Sequence, residues 1–250
     1  HFIHYFFFRV FQIYFVSSFY HNLKGANSKF IRIFKRFWVT DLKKFTTHSG
    51  VAAPILRINI DTDAIIPSRE MKRVSRKGLG VSLFADWRYE NGIVQRGNES
   101  PDFVLNQPDY LDASILLTGQ NMGCGSSREF AVWALTDFGI RAIIAPSFGA
   151  IFYTNCIRNG LLPIILDAST INEVAAAVDQ DPQANKVAID LKQSTVAVLA
   201  GQQYTFKIEA SYQKLLLEGL DPIDLTLRRQ QIIEQFIAKD RLKRPWAHAL

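Results

Sequence analysis

Short apolar stretches alternate with segments of helical periodicity through the middle of the chain. Runs rich in Val, Ile and Leu predict buried strands, and apolar residues spaced three and four apart predict amphipathic helices. The predicted strands are 51–60, 114–118, 141–145 and 161–166, and the predicted helices are 127–138, 148–159 and 170–179. This alternation predicts an α/β core with a partly parallel sheet.

The pattern changes after residue 180. Three short strands, at 187–191, 195–199 and 204–208, predict a meander, and a last helix is predicted at 221–239. The stretch 88–108 is polar and contains two glycines and two prolines, which predicts a loop region. No internal repeat or low-complexity tract occurs in residues 42–250, and the length and apolar content of the chain fit one large domain or two small ones.

Residues 1–41 have another composition. They are crowded with aromatic side chains, and residues 1–40 carry six basic residues and no acidic one. Their best apolar run, 5–20, contains Arg9 and is shorter than the roughly 20 residues of a membrane anchor. A targeting segment would be richer in serine. Our hypothesis is that the working protein starts at Leu42 and that 1–41 derive from upstream translation, with a targeting segment and an anchor as alternatives.

The net charge of +6 belongs to this first segment. The chain has 29 basic and 23 acidic residues, so the 23 basic residues left after residue 40 balance the acidic ones. A nucleic-acid-binding protein concentrates basic charge on its folded surface. The balance therefore argues against a nucleic-acid partner.

The cysteines limit the location and the cofactor chemistry. There are two, Cys124 and Cys156, without C-x-x-C spacing. This pattern fits neither a disulfide framework nor a zinc site, and it predicts a cytoplasmic, reducing environment. An iron–sulfur cluster usually needs about four thiolates, so this chain alone is not expected to bind one.

The segment 120–129, QNMGCGSSRE, is the strongest candidate for chemistry. It follows a predicted strand and opens a predicted helix, whose first amides attract anions. Its glycines permit close backbone approach, and Arg128 offers a fork that matches a carboxylate. Ser126 and Glu129 also have capping-box spacing, so a simple helix cap is an alternative or additional interpretation. The phosphate-loop pattern is absent.

A second candidate is the segment 59–67, NIDTDAIIP, which precedes three arginines, Arg69, Arg73 and Arg76. Alone it is typical of an acidic turn followed by a solvated basic helix. It lacks the glycine and glutamate positions of a calcium-binding EF-hand loop.

Together these segments resemble the small subunits of 3-isopropylmalate dehydratase, in the aconitase superfamily. The matching motifs lie at 61–67, 83–84, 87–88, 101–106, 123–129, 145–148, 159–163 and 219–221. The resemblance implies that residues 42–250 form a single domain with an α/β fold, the layered β/β/α swivelling domain of the aconitase C-terminal domain. It also implies a large-subunit partner that carries a [4Fe–4S] cluster, in a heterodimer or heterotetramer, and a leucine-pathway dehydratase without a metal or cofactor on this chain.

The resemblance also implies residue roles. Ser126 would be the base that removes a proton beside a carboxylate, assisted by Asp63 and Arg76, although Arg73 is close enough in sequence to take the place of Arg76. The substrate would be bound by the loop residues Ser127, Arg128, Gly125, Cys124 and Asn121.

Two positions depart from the family pattern. Phe130 stands where a polar residue is usual, and Met122 stands where Phe is common.

Two other functions remain open. A related methylmalate/citraconate or homoaconitate hydratase would share the same loop. A module that binds a carboxylate without chemistry would need no large subunit.

Overall fold

The strands of the protein form one mixed sheet. A computed structural model describes residues 42–71, 75–126, 128–198, 202–220 and 228–248. Within these ranges seven strands follow in chain order: β1 (Thr47–Ile55), β2 (Ala113–Thr118), β3 (Ala142–Ala145), β4 (Leu162–Ile165), β5 (Val187–Asp190), β6 (Thr195–Val198) and β7 (Gln203–Thr205). Residues 1–41 lie outside the described ranges, so their role stays a prediction.

Strand β1 joins two differently built halves of the sheet. The order is β4-β3-β2-β1-β5-β6-β7. Strands β1 to β4 pair in parallel, whereas β1, β5, β6 and β7 pair antiparallel. Parallel neighbours need crossover connections, while antiparallel ones need only tight turns. The predicted partly parallel sheet and the predicted meander are both confirmed.

Helices and short turns connect the strands. The described α-helices are α1 (Thr62–Ile65), α2 (Ala85–Arg88), α3 (Glu129–Phe138), α4 (Ala150–Arg158), α5 (Ala168–Gln180), α6 (Ala210–Glu218) and α7 (Gln230–Lys243). The described 3-10 turns are Ser68–Glu70, Gly80–Ser82, Glu90–Gly92, Val104–Asn106, Pro108–Tyr110 and Pro245–His248. None of the helices in the described ranges is long and apolar enough to span a bilayer.

The core lies around the parallel half of the sheet. Ile115, Leu116 and Leu117 of β2 are fully buried, as is all of β3. Helix α5 packs against β1, β2, β3 and β6. Strands covered on both faces read as continuous apolar runs rather than as alternating ones. This explains why these strands are recognisable in the sequence.

The helices near the C-terminal end differ from the predictions. Helix α6 is not among the predicted elements, and it buries only two side chains, those of Leu215 and Leu216. The last predicted helix, 221–239, coincides with α7 only in part: α7 runs from 230 to 243, and 221–227 lie outside the described residues.

The polar stretch 88–108 is ordered rather than an open loop. The Arg88 Nε donates to Asn106 Oδ1 at 3.0 Å, and the Asn106 amide donates back to the carbonyls of Arg88 and Ser100. Burial lowers the pKa of the Arg88 guanidinium. Side-chain hydrogen bonds to the backbone, together with the short 3-10 turns, therefore order a stretch that the sequence pattern predicts to be a loop.

His48 gives the fold a predictable pH dependence. Its Nε2 lies 2.8 Å from the Ser114 Oγ and joins β1 to β2. Burial, and then the positive charges of Arg141 and Lys43, lower the pKa of His48 from 6.5. The folded state therefore binds the proton less readily than the unfolded state. The contribution of neutral His48 to the free energy of unfolding is therefore complete above about pH 6.5. It is lost as the pH falls through the pKa of His48 in the folded state.

We expect the free energy of unfolding to fall between pH 7.5 and pH 5.5 in the wild type and to fall less in His48→Gln. Glutamine can keep a hydrogen bond to Ser114 but does not titrate. Denaturant unfolding at several pH values measures both. Equal pH dependence in the two proteins would exclude this role for His48.

Candidate active site

The loops that follow β1 and β2 are joined edge to edge. The Thr62 N–H donates to the Cys124 carbonyl at 3.1 Å, and the Gly123 N–H donates to the Ile60 carbonyl at 2.7 Å. Asp61 and Cys124 thereby form a parallel bridge beyond the ends of the strands. Because the carboxyl ends of parallel strands lie at one edge of the sheet, the two candidate segments of the sequence meet there.

The loop after β3 joins the same edge. The Met122 N–H donates to the Ser147 carbonyl at 3.0 Å, and the Gly149 N–H donates to the Met122 carbonyl at 2.9 Å. Met122 and Phe148 form a second parallel bridge. Met122 itself is fully buried. The loop after β2 is therefore hydrogen-bonded to both the loop after β1 and the loop after β3.

Both glycines of the segment have the left-handed backbone that favours glycine. Gly123 has φ +73°, and a Cβ there would overlap the Phe152 ring. Gly125 has φ +81°, and a Cβ there would lie 3.4 Å from the Asp61 Cβ. The predicted need for glycine is confirmed, and at Gly123 it comes from packing against α4 as well as from the backbone.

Ser126 is exposed and has no hydrogen-bond partner among the described residues. The capping box predicted for Ser126 and Glu129 is wrong. Helix α3 begins at Glu129 with Arg128 as its N-cap, and no side chain caps it. The Glu129 carboxylate instead accepts from the Asn159 amide at 3.0 Å. Ser127 lies outside the described residues, so its predicted role stays a prediction.

Arg128 meets Asp63 across the two loops. The Arg128 Nη1 donates to Asp63 Oδ1 at 2.8 Å and to Ser68 Oγ at 2.6 Å. The Ser68 hydroxyl in turn donates to the same Asp63 Oδ1 at 2.9 Å. Within the described residues, the Nε and Nη2 of Arg128 have no protein acceptor. The guanidinium thus keeps one complete edge for a planar anion, which suits a carboxylate in two parallel hydrogen bonds.

Arg76 lies against the same helix. Its guanidinium carbon is 4.8 Å from the centre of the Trp133 ring, a cation–π distance. The Trp133 indole N–H donates to Asn159 Oδ1 at 3.0 Å, so the ring is fixed in place. The structure therefore places Arg76 beside α3, while Arg73 lies outside the described residues. The predicted choice between the two arginines stays open.

The remaining predicted loop residues hold the loops together. The Asn121 side-chain amide donates to Asn59 Oδ1 at 2.8 Å, and its backbone N–H donates to Ser147 Oγ at 2.9 Å. Asn59 and Asn121 have φ +54° and +61°, a conformation that asparagine tolerates better than most residues. Cys124 is a free, partly exposed thiol. Their predicted contact with substrate stays a prediction.

Sequence reasoning missed Ser68, Trp133 and Asn159. Ser68 directly follows the 61–67 motif, but a serine in a short turn carries no signal of its own.

A recess of about 480 Å³ opens beside Asp63 and Ser68 and is lined also by Trp87 and Asp86. Asp63 and Ser68 thus border an open recess.

The cysteines do not fit a cluster site. Cys156 is fully buried, and burial raises the pKa of its thiol, which disfavours the thiolate that metals bind. Cys124 lies in the loop at the opposite end of α4. No group of three or more potential metal-binding side chains occurs in the part of the chain that the structure describes.

Comparison with known proteins identifies the family of the chain. Residues 42–169 match the aconitase C-terminal domain family. A small subunit of 3-isopropylmalate dehydratase from Cupriavidus necator is 58% identical over 209 residues, which cover 83% of this chain and 99% of that protein. Another from Dinoroseobacter shibae is 47% identical over 205 residues, which cover 82% of this chain and 100% of that protein.

A solved structure extends the likeness to the fold. The crystal structure of 3-isopropylmalate dehydratase from Methanocaldococcus jannaschii matches 76% of this chain and 98% of its own, with a TM-score of 0.54 and 27% identity. It confirms the predicted swivelling-domain fold. The chain belongs to the aconitase C-terminal domain family and, within it, to the small subunits of 3-isopropylmalate dehydratase.

Proposed function

We propose that this chain supplies the proton-transfer half of an active site that interconverts 2-isopropylmalate and 3-isopropylmalate by dehydration and rehydration. The base is Ser126, whose alkoxide takes the proton from the carbon beside a carboxylate. An exposed serine without a hydrogen-bond partner is accessible to a substrate. The partial positive charge at the start of α3 and the cation of Arg128 favour its ionised form.

Arg128 binds the substrate carboxylate with its Nε and Nη2 edge. Asp63 and Ser68 occupy only the Nη1 of Arg128, so the guanidinium is oriented before substrate binds. This contact is the observation that carries the proposal. Ser127 adds a hydroxyl donor next to it in sequence. Gly125, Cys124 and Asn121 form the loop surface on which the carboxylate rests.

Asp63 and Arg76 complete the proposed proton-transfer site. The Oδ2 of Asp63 has no protein donor among the described residues and can accept a hydrogen bond from the substrate hydroxyl or from water. Arg76, whose guanidinium lies over the Trp133 ring of α3, is the second cation of the site, and its role is to stabilise the carbanion that proton removal creates.

Departure of the hydroxyl from the neighbouring carbon needs an electrophile that these residues do not provide. We assign it to a [4Fe–4S] cluster on the large subunit, in a heterodimer or heterotetramer in the cytoplasm. The names of the relatives support a large-subunit partner, since they are small subunits. The two free cysteines of this chain fit a reducing compartment.

We expect the purified chain alone to show no interconversion of the two isopropylmalates and the co-expressed complex with the large subunit to be active. Ultraviolet detection of the unsaturated intermediate follows the reaction, and iron analysis of the separated subunits locates the cluster. Activity of this chain alone, or iron that remains with it, would contradict the assignment of the cluster to the large subunit.

Substrate range separates the proposal from its alternatives. The complex should prefer isopropylmalates to methylmalate and to homoaconitate under the same conditions. A preference for methylmalate or homoaconitate would change the proposed substrate but not the proposed roles of the site residues. Tight binding of diacids by the isolated chain, with an inactive complex, would favour a binding module.

A further inference from the structure

Ser68 occupies a central place between the two loops of the candidate active site. Its hydroxyl accepts from Arg128 Nη1 at 2.6 Å and donates to Asp63 Oδ1 at 2.9 Å. The same two groups contact each other directly at 2.8 Å. The three side chains therefore form a closed triangle in which every hydrogen bond has a charged partner, and such bonds are stronger than neutral ones.

The turn that carries Ser68 is fixed on both sides. Pro67 precedes the turn Ser68–Glu70 with φ −61°, which its ring enforces. Arg69 forms an ion pair with Asp86 and donates to the Gly92 carbonyl at 3.0 Å. An exposed serine usually samples several rotamers and positions. Here the neighbouring residue anchors the backbone, so the hydroxyl is presented at one place.

The far side of the turn has its own anchor. Glu70 accepts from the Ser82 hydroxyl at 3.0 Å, and Ser82 is buried. The turn therefore rests on the segment 82–92 rather than on Asp63 or Arg128. Ser68 can thus impose a position on those two residues instead of following them.

The contacts of the triangle also determine which atoms stay available. Nη1 of Arg128 and Oδ1 of Asp63 are occupied, whereas Nε and Nη2 of Arg128 and Oδ2 of Asp63 have no protein partner among the described residues. Without Ser68, the guanidinium could rotate to meet Asp63 with its Nε and Nη2 edge in a bidentate pair. That arrangement would hide the edge that a carboxylate needs.

We propose that Ser68 is a positioning residue. It holds the guanidinium of Arg128 so that only Nη1 contacts Asp63, and it thereby keeps the Nε and Nη2 edge open for the substrate carboxylate. This inference rests on the proposed function of Arg128 and adds the residue that orients it. Ser68 acts through Arg128 and does not take part in proton transfer.

The first test is steady-state kinetics of the complex with the large subunit. In Ser68→Ala we expect KM for isopropylmalate to rise about tenfold, with kcat changed by less than about threefold, because the lost orientation affects carboxylate binding in ground and transition states alike. Ser68→Thr keeps the hydroxyl at an exposed position and should restore KM. Ser211→Ala is the matched control, since Ser211 donates to the Glu209 carboxylate at 2.6 Å on helix α6.

The second test does not depend on activity. In the ¹⁵N-arginine-labelled full chain, the Arg128 Nε–H resonance is assigned by its loss in Arg128→Lys. It should shift and broaden in Ser68→Ala and return in Ser68→Thr. An unchanged resonance together with KM within about twofold of wild type would overturn the positioning role. A wild-type complex without activity would refute the proposed function, while the resonance would still decide whether Ser68 orients Arg128.

Discussion

Ser126→Ala in the complex with the large subunit is expected to lower kcat by about three orders of magnitude or more, because general base catalysis typically contributes about 10²–10⁴-fold. Alanine removes only the exposed hydroxyl, which has no hydrogen-bond partner among the described residues. The stability of the chain should therefore not change. Measurement of kcat, the thermal midpoint and the binding of substrate to the variant complex separates chemistry from folding.

Ser169→Ala is the matched control for this variant. Ser169 is an exposed serine in the first turn of another helix, α5. It should leave kcat unchanged. If Ser126→Ala kept more than about a tenth of wild-type kcat, the proton would have to be taken by another group, and Ser126 would return to the role of a loop residue.

Arg128→Lys should lower kcat/KM by about 10²–10³-fold, since a lysine keeps the charge but loses the two parallel hydrogen bonds to a carboxylate, worth on the order of 3–4 kcal/mol together. The arginine side chain is 31% exposed and its ion pair with Asp63 is near the surface, so stability should change little. Kinetics with isopropylmalate and denaturant unfolding of the same samples check both expectations.

Arg96→Ala provides the comparison for a lost surface arginine, because Arg96 is exposed and lies in the loop between α2 and β2. It should behave as wild type. An Arg128→Lys enzyme with kcat/KM near that of Arg96→Ala would mean that a point charge suffices, and the proposed two-bond contact with the carboxylate would be wrong.

The buried half of the protein is the part that the sequence predicts well. Strand β3 is fully buried, and β2 is buried except at Ser114, so both appear as short apolar runs. Gly139 closes α3 in the left-handed conformation that ends many helices, as its position in the sequence indicates. Runs of apolar residues indicate burial, and burial is what these two strands share.

Elements that bury few apolar side chains, or that are organised by polar contacts, are the part that the sequence does not predict. Helix α6 buries two side chains, and the 88–108 stretch is organised by the Arg88 and Asn106 hydrogen bonds. The capping box at Ser126 failed for a related reason. The spacing of Ser126 and Glu129 is local, whereas the partner of Glu129 is Asn159, 30 residues away.

The sequence by itself determined the family, the alternating α/β core and the residue types of the candidate site, because motifs, burial patterns and glycine positions are properties of short segments. Only the tertiary structure decided how those types are arranged. It joined residues 59–63 to 120–124 beyond the ends of β1 and β2. It also placed Ser68 between Asp63 and Arg128, 60 residues from the latter. Hydrogen bonds between segments so far apart depend on how the strands pair, and strand pairing is set by packing of the whole sheet rather than by any local pattern.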